Sequence, residues 1–96
     1  MTKLDLSAIF SPMPEHLDEI RAFLLTVAQE VRSEPGCVFY DLYEESTGKL
    51  VFIEQWATRE DWLVHNDAPS VDKITQFVEG KLIRPIELLE LRKISQ

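Results

Sequence analysis

The sequence predicts an α+β domain in which a four-stranded antiparallel sheet carries helices on one face. Two observations point there. Apolar residues recur at strand period in four segments and at helix period in three others, and the segments run strand, helix, strand, strand, helix pair, strand. The chain has 96 residues, 45% hydrophobic and 28% charged, which is enough for one domain (1–96) and leaves no room for a second.

The first strand is Leu4 to Phe10, where Leu4, Leu6, Ala8 and Phe10 alternate with Asp5, Ser7 and Ile9. Ser11-Pro12-Met13-Pro14 ends it, because proline cannot donate to a ladder. From Pro14 the period changes: Leu17, Ile20, Leu24, Val27 and Val31 fall at three- and four-residue spacings and define an amphipathic helix. Pro14 suits its first position, Glu15, Asp18 and Glu19 suit its dipole, and Pro35-Gly36 cannot continue it. Cys37–Tyr43 and Leu50–Ala57 are rich in β-branched and aromatic residues, and the Gly-containing loop 44–49 joins them as a hairpin. Thr58 and Asp61 form a capping-box signature for a short helix holding Trp62, Leu63 and His65. Asn66-Asp67-Ala68-Pro69 breaks that helix. Ser70 is placed to cap the next, whose apolar face is Val71, Ile74, Phe77 and Val78 and whose stop is Gly80. The last strand is expected from Ile86 to Ile94. This order is that of a ferredoxin-like split βαβ domain.

The strands are apolar on both faces. In the second, Cys37, Phe39 and Tyr43 oppose Val38, Tyr40 and Leu42; in the third, Phe52 and Trp56 oppose Val51, Ile53 and Ala57; in the fourth, Ile86 and Leu88 oppose Leu89 and Leu91. Helices in so short a chain cover one face only, so the other predicts a two-fold homodimer packed sheet against sheet.

Seventeen acidic against ten basic residues give a formal charge of −7, the wrong sign for gathering phosphates or anionic lipid, so neither nucleic acid nor membrane is an expected partner. One cysteine and two distant histidines, His16 and His65, make neither a disulfide nor a zinc site; a reducing cytoplasm is the expected compartment. The first nine residues lack the apolar core of a signal peptide, so the chain is expected to function as it stands. There is no Gly-rich phosphate loop, HExxH pattern or nucleophile elbow.

His65 stands out, after Trp56 and Trp62 and just before the Asn66–Ser70 break, where a neutral imidazole at a helix end can take a proton. The plain alternative is a histidine that only hydrogen-bonds the loop. Glu54 lies on the face of Phe52 and Trp56, and a carboxylate there calls for a partner; Arg59, Arg84 or Arg92 is expected to supply an ion pair, the alternative being general-base work. Trp56, Trp62, Phe23 and Phe77 offer either an aromatic slot or plain core. Cys37 reads as a small buried hydrophobe without a catalytic role.

Glu34-Pro35-Gly36-Cys37 with Tyr40, then Val51 to Trp56 with its Glu54-x-Trp56, then His65 and Pro69, resembles the antibiotic biosynthesis monooxygenase domain family. The resemblance implies a dimeric α+β barrel with a pocket between sheet and helices, and oxidation of a quinol or polycyclic phenol by O₂ without metal or flavin. On that reading His65 removes the hydroxyl proton, Tyr40 or Asn66 bonds the oxygen that becomes negative, and Trp56, Trp62 and Phe77 stack on a small aromatic substrate. The haem-degrading branch of the family is not matched, since the first strand has no asparagine and no histidine follows Ser70. Quinol-oxidising relatives commonly carry a second histidine where Ser70 stands. Two other readings keep the same fold: a non-catalytic dimeric module that binds a small molecule, and a cofactor-free isomerase of a small carbonyl compound.

Overall fold

A computed structural model describes residues 2–95. Its elements are β1 (Leu4–Phe10), a 3₁₀ turn (Pro14–His16), α1 (Leu17–Arg32), β2 (Cys37–Glu44), β3 (Leu50–Trp56), α2 (Arg59–Asn66), α3 (Pro69–Val78) and β4 (Glu87–Leu91). The four strands form one antiparallel sheet in the order β2-β3-β1-β4, the ferredoxin-like arrangement expected from the sequence.

The strand alternation puts Leu4, Leu6, Ala8 and Phe10 of β1 beside Leu50, Phe52, Glu54 and Trp56 of β3 on the helix-covered face. Onto these pack Ile20, Leu24, Val27, Ala28 and Val31 of α1 and Ile74 and Val78 of α3. Trp56, Phe52, Leu6, Ile20 and Leu24 are closed off completely or nearly so, each burial contributing about 1.5–3 kcal/mol. None of the described helices is long and apolar enough to cross a membrane.

Four local expectations are corrected. Pro14 starts a 3₁₀ turn rather than the α-helix, which begins at Leu17. A bulge between Cys37 and Phe39 pairs Cys37 with Trp56, so Cys37 joins Tyr40 and Leu42 on the core side rather than Phe39 and Tyr43. Ser70 does not cap α3: Ala68 holds the cap position, Pro69 begins the helix, and the Ser70 hydroxyl is used elsewhere. The last strand is shorter than Ile86–Ile94, spanning only Glu87–Leu91, because the ladder with β1 runs out at Asp5.

The sheet's other face has no helix. It presents Ile9, Phe39, Val51 and Ile53, all half-buried, and the more exposed Tyr43, Leu89 and Leu91, around a hydrogen bond of 2.7 Å from Gln55 to Asp5.

Candidate active site

The site is built where the turn before β2 meets the end of α2. Val31 N-terminal to the turn is fully buried and fixes the end of α1; Glu34 follows in that turn, and Gly36 completes it at φ +82°, a conformation open to glycine. The Gly36 carbonyl accepts from the Ala57 amide at 2.7 Å, tying the turn to the end of β3. Two residues on, Thr58 caps α2: its hydroxyl oxygen accepts from the Asp61 amide at 3.1 Å and its O–H donates to the Asp61 carboxylate at 3.0 Å. One turn further along this secured helix lies His65.

His65 is only 5% exposed. Its Nδ1 lies 2.6 Å from Glu34 Oε1, and Ser70 donates its Oγ–H to Glu34 Oε2 at 2.5 Å. A carboxylate can only accept, so Nδ1 carries the proton, and in the neutral imidazole Nε2 is then the acceptor. The imidazole is held flat against the Trp56 indole, centroids 4.6 Å apart, and meets the Tyr40 ring edge-on at 5.9 Å.

A cavity of about 110 Å³ opens beside it. Its wall includes Tyr40, Glu54, Trp62, His65, Asn66 and Leu88, with Ala8, Phe10, Val71, Ile74, Thr75 and Ile86 completing it. Among the described residues no side-chain nitrogen or oxygen shut off from solvent lacks a partner. His65 Nε2, the Tyr40 hydroxyl and the second Glu54 oxygen have no protein partner among those residues, so none of them is shut off from solvent, and all three residues line this cavity.

Glu54 departs from its expectation. No arginine pairs with it: Arg59 bonds Glu90 and Arg84 donates to Ser11. Its Oε1 instead accepts the Trp56 Nε1–H at 2.8 Å, and it is 3% exposed. Burial pushes its carboxyl above the usual glutamate range, against smaller opposing pulls from that hydrogen bond and from His65. Burial, reinforced by Glu54 and Glu34, also raises the Tyr40 phenol well beyond its ordinary value, so Tyr40 stays a donor. Cys37 is pushed up to about 11 by burial and the same two carboxylates, which leaves it a thiol.

The structure thus brings together Tyr40, Trp62, His65 and Asn66 around one space, with Trp56 as the platform behind His65. Phe77 is not among them. It stacks on Phe23 of α1 at 4.1 Å, with the Lys81 ammonium 3.9 Å above its ring. Sequence reasoning missed Glu34 and Ser70 as partners of His65 and read Glu54 as ion-paired; the strand position of Glu54 beside Trp56 was the available signal. A larger depression of about 760 Å³ lies between the start of β1, the end of β4 and the start of α2. It is lined by Lys3, Arg59, Glu60, Glu90 and Arg92, among others, and holds neither an aromatic wall nor His65. Among the described residues no cluster of three His, Cys, Asp or Glu side chains is disposed to hold a metal ion.

The profile of the family described as antibiotic biosynthesis monooxygenase matches residues 6–76. The chain belongs to this family. It is 31% identical over 90 residues to Rv0793 of Mycobacterium tuberculosis, a protein provisionally named a monooxygenase; the match covers 93% of this chain and 89% of that one. The solved structure of Rv0793 superposes with a TM-score of 0.90, covering 99% of this chain and 98% of that one at 29% identity. PA3566 of Pseudomonas aeruginosa shares the fold, with a TM-score of 0.88 at 23% identity over 99% of this chain and 97% of that one. Family membership and the Rv0793 relative support a monooxygenase-like function for this antibiotic biosynthesis monooxygenase domain.

Proposed function

We propose that this chain is a cofactor-independent monooxygenase that oxidises a small quinol or phenol with O₂, using His65 as the base. The observation that carries this reading is the Glu34–His65 pair on the cavity wall, in which Nδ1 is held by Glu34 and Nε2 has no protein partner among the described residues. O₂ reacts poorly with a neutral phenol and readily with the electron-rich phenolate. A phenol of pKa near 10 costs about 4 kcal/mol to ionise at pH 7. Proton transfer to His65, whose imidazolium is then held by Glu34, offsets much of that cost, and the Tyr40 hydroxyl or the Asn66 amide donates to the new oxyanion.

The oxidation balances without an external reductant: a quinol and O₂ become a hydroxyquinone and water, one oxygen atom entering the ring and the other leaving. The cavity also bears on size. At about 110 Å³ it is smaller than the roughly 150 Å³ that holds a benzene ring in a closed core, so one ring enters only in part. A single-ring quinol is on that ground a better fit than a polycyclic phenol.

The working unit on this reading is a cytoplasmic homodimer joined through the helix-free sheet face, whose exposed apolar residues call for a cover. Oxygen consumption with a panel of hydroquinones tests the reaction, the parent against His65→Ala. A fall of about a hundredfold or more is expected. Equal rates remove His65 from the mechanism. Product formed from a small carbonyl compound without oxygen uptake replaces the reading with an isomerase, and ligand binding with no product at all replaces it with a binding module.

A further inference from the structure

The cavity holds one ionisable group that phenol deprotonation does not use. Glu54 enters from β3, opposite Tyr40 in the ladder with β2 and opposite Leu6 in the ladder with β1. One of its oxygens is fixed by the Trp56 indole N–H; the other has no protein partner among the described residues and is not shut off from solvent, and Glu54 lines the cavity. The same indole carries His65 stacked on its face, so Trp56 sets both groups against one space.

We propose that Glu54 is the second proton-transferring residue of this pocket, acting first as acid and then as base on the oxygenated ring carbon, while His65 serves the hydroxyl. This rests on the oxygenase reading. The bonds can be followed. His65 takes the hydroxyl proton, and O₂ adds to a ring C–H carbon, leaving a ring carbonyl and a peroxide anion. The Glu54 carboxylic acid gives its proton to the distal peroxide oxygen. The resulting carboxylate then removes the hydrogen from the same carbon as the O–O bond breaks, a second carbonyl forms and hydroxide departs. Hydroxide takes the proton from the His65 imidazolium and leaves as water. Both residues are restored, and a phenol plus O₂ has become a quinone plus water.

The surroundings suit a group that must change charge twice. Tyr40 and Cys37 face it from β2, with Glu34 behind them; His65 faces it from α2. From α3 come only Val71, Ile74 and Thr75, from β1 Leu6 and Ala8, and from β4 Leu88, while Glu90 beyond Leu6 is tied to Arg59. No lysine or arginine among the described residues pairs with Glu54 and pins it as a carboxylate. Its raised proton affinity favours the carboxylic acid more than in an ordinary glutamate, as a residue that must first give a proton requires.

The test compares the parent with Glu54→Gln, which keeps an oxygen for the Trp56 N–H, using a hydroquinone that supports oxygen uptake by the parent. Expected are a drop of about a hundredfold in kcat with KM within about twofold, and a primary deuterium isotope effect on the ring hydrogen that is larger in the variant than in the parent. Unchanged kcat, or a loss confined to KM, overturns the proposal. A second measurement needs no variant. Infrared spectra of the parent, compared with Glu54→Gln, should show a carboxyl that stays protonated above the pH range where ordinary glutamates ionise, with a band that bleaches as the pH rises further. Its absence overturns the proposal. If the parent consumes no oxygen with any quinol, the oxygenase reading itself falls and this step falls with it. Normal uptake in an unaffected Glu54→Gln variant removes Glu54 alone.

Discussion

The Ser70 hydroxyl donates to Glu34 Oε2 at 2.5 Å while the other oxygen of that carboxylate holds His65 Nδ1. Ser70 is fully buried, so its removal leaves Glu34 Oε2 short of a partner where water has little access. Ser70→Ala should therefore cost about 1–3 kcal/mol in stability. With Glu34 less firmly set, His65 loses its orientation, and substrate contacts are untouched. Steady-state oxygen uptake should show kcat down several-fold at constant KM, and Glu34→Gln should do more, at about tenfold or beyond. Equal kcat in both variants would mean that His65 is oriented by its stacking on Trp56 alone.

Gly36 carries a different constraint. A Cβ built there would lie 2.2 Å from the Asp61 carboxylate oxygen and 2.4 Å from Asp61 Cβ, and the backbone sits at φ +82°. Rotating the Asp61 side chain relieves the first clash and not the second, so the turn or α2 must move. Gly36→Ala is expected to destabilise the fold by about 1–3 kcal/mol, read as a lower urea midpoint. Since α2 carries His65, the variant should also lose turnover at temperatures where it is still folded.

The helix-free sheet face gives a prediction about assembly. Ile53 lies near its centre, paired across the ladders with Ser7 and Asp41. Ile53→Lys places a charge where a sheet-to-sheet contact would be driest. Sedimentation should show the parent as a dimer and the variant as a monomer that binds a hydrophobic dye more strongly. A parent that sediments as a monomer at micromolar concentration would instead leave this apolar face uncovered.

The periodicity of the sequence was enough to place the strands, the helices and the helix-covered face, because each element is long enough to show which side is apolar. β4 was overextended for the same reason: Ile86, Leu88, Leu89, Leu91 and Ile94 look like a strand, yet pairing ends with β1 at Asp5↔Leu91. His65 was visible because a histidine between tryptophans at a helix end is unusual. Its partners were not. Glu34 is 31 residues away in a turn and Ser70 lies beyond a helix break, so only the closing of that turn onto α2 brings the three together. Glu54 was misread because a strand position shows that a carboxylate is buried and does not show what satisfies it. An arginine was the economical guess; the indole N–H two residues along the same strand is what the fold supplies.

That substitution of an indole for an arginine has a thermodynamic signature. Glu54 takes up protons more readily in the folded chain than in the unfolded one, because burial outweighs the hydrogen bond from Trp56 and the attraction of His65. Between the unfolded and the folded pKa the native state then binds more protons, and stability falls as pH rises through that window. Glu19, Glu44 and Glu45 are shifted the other way by hydrogen bonds from His16, Arg21 and Thr47, and their contribution is lost only as pH falls through lower values. The difference between the parent and Glu54→Gln isolates the one group. Urea midpoints measured from about pH 5 to pH 8 should fall in the parent relative to the variant as pH rises, with the variant the more stable of the two at the alkaline end. Parallel curves would show that Glu54 is already ionised in the resting fold, and that its charge is met by solvent entering the cavity.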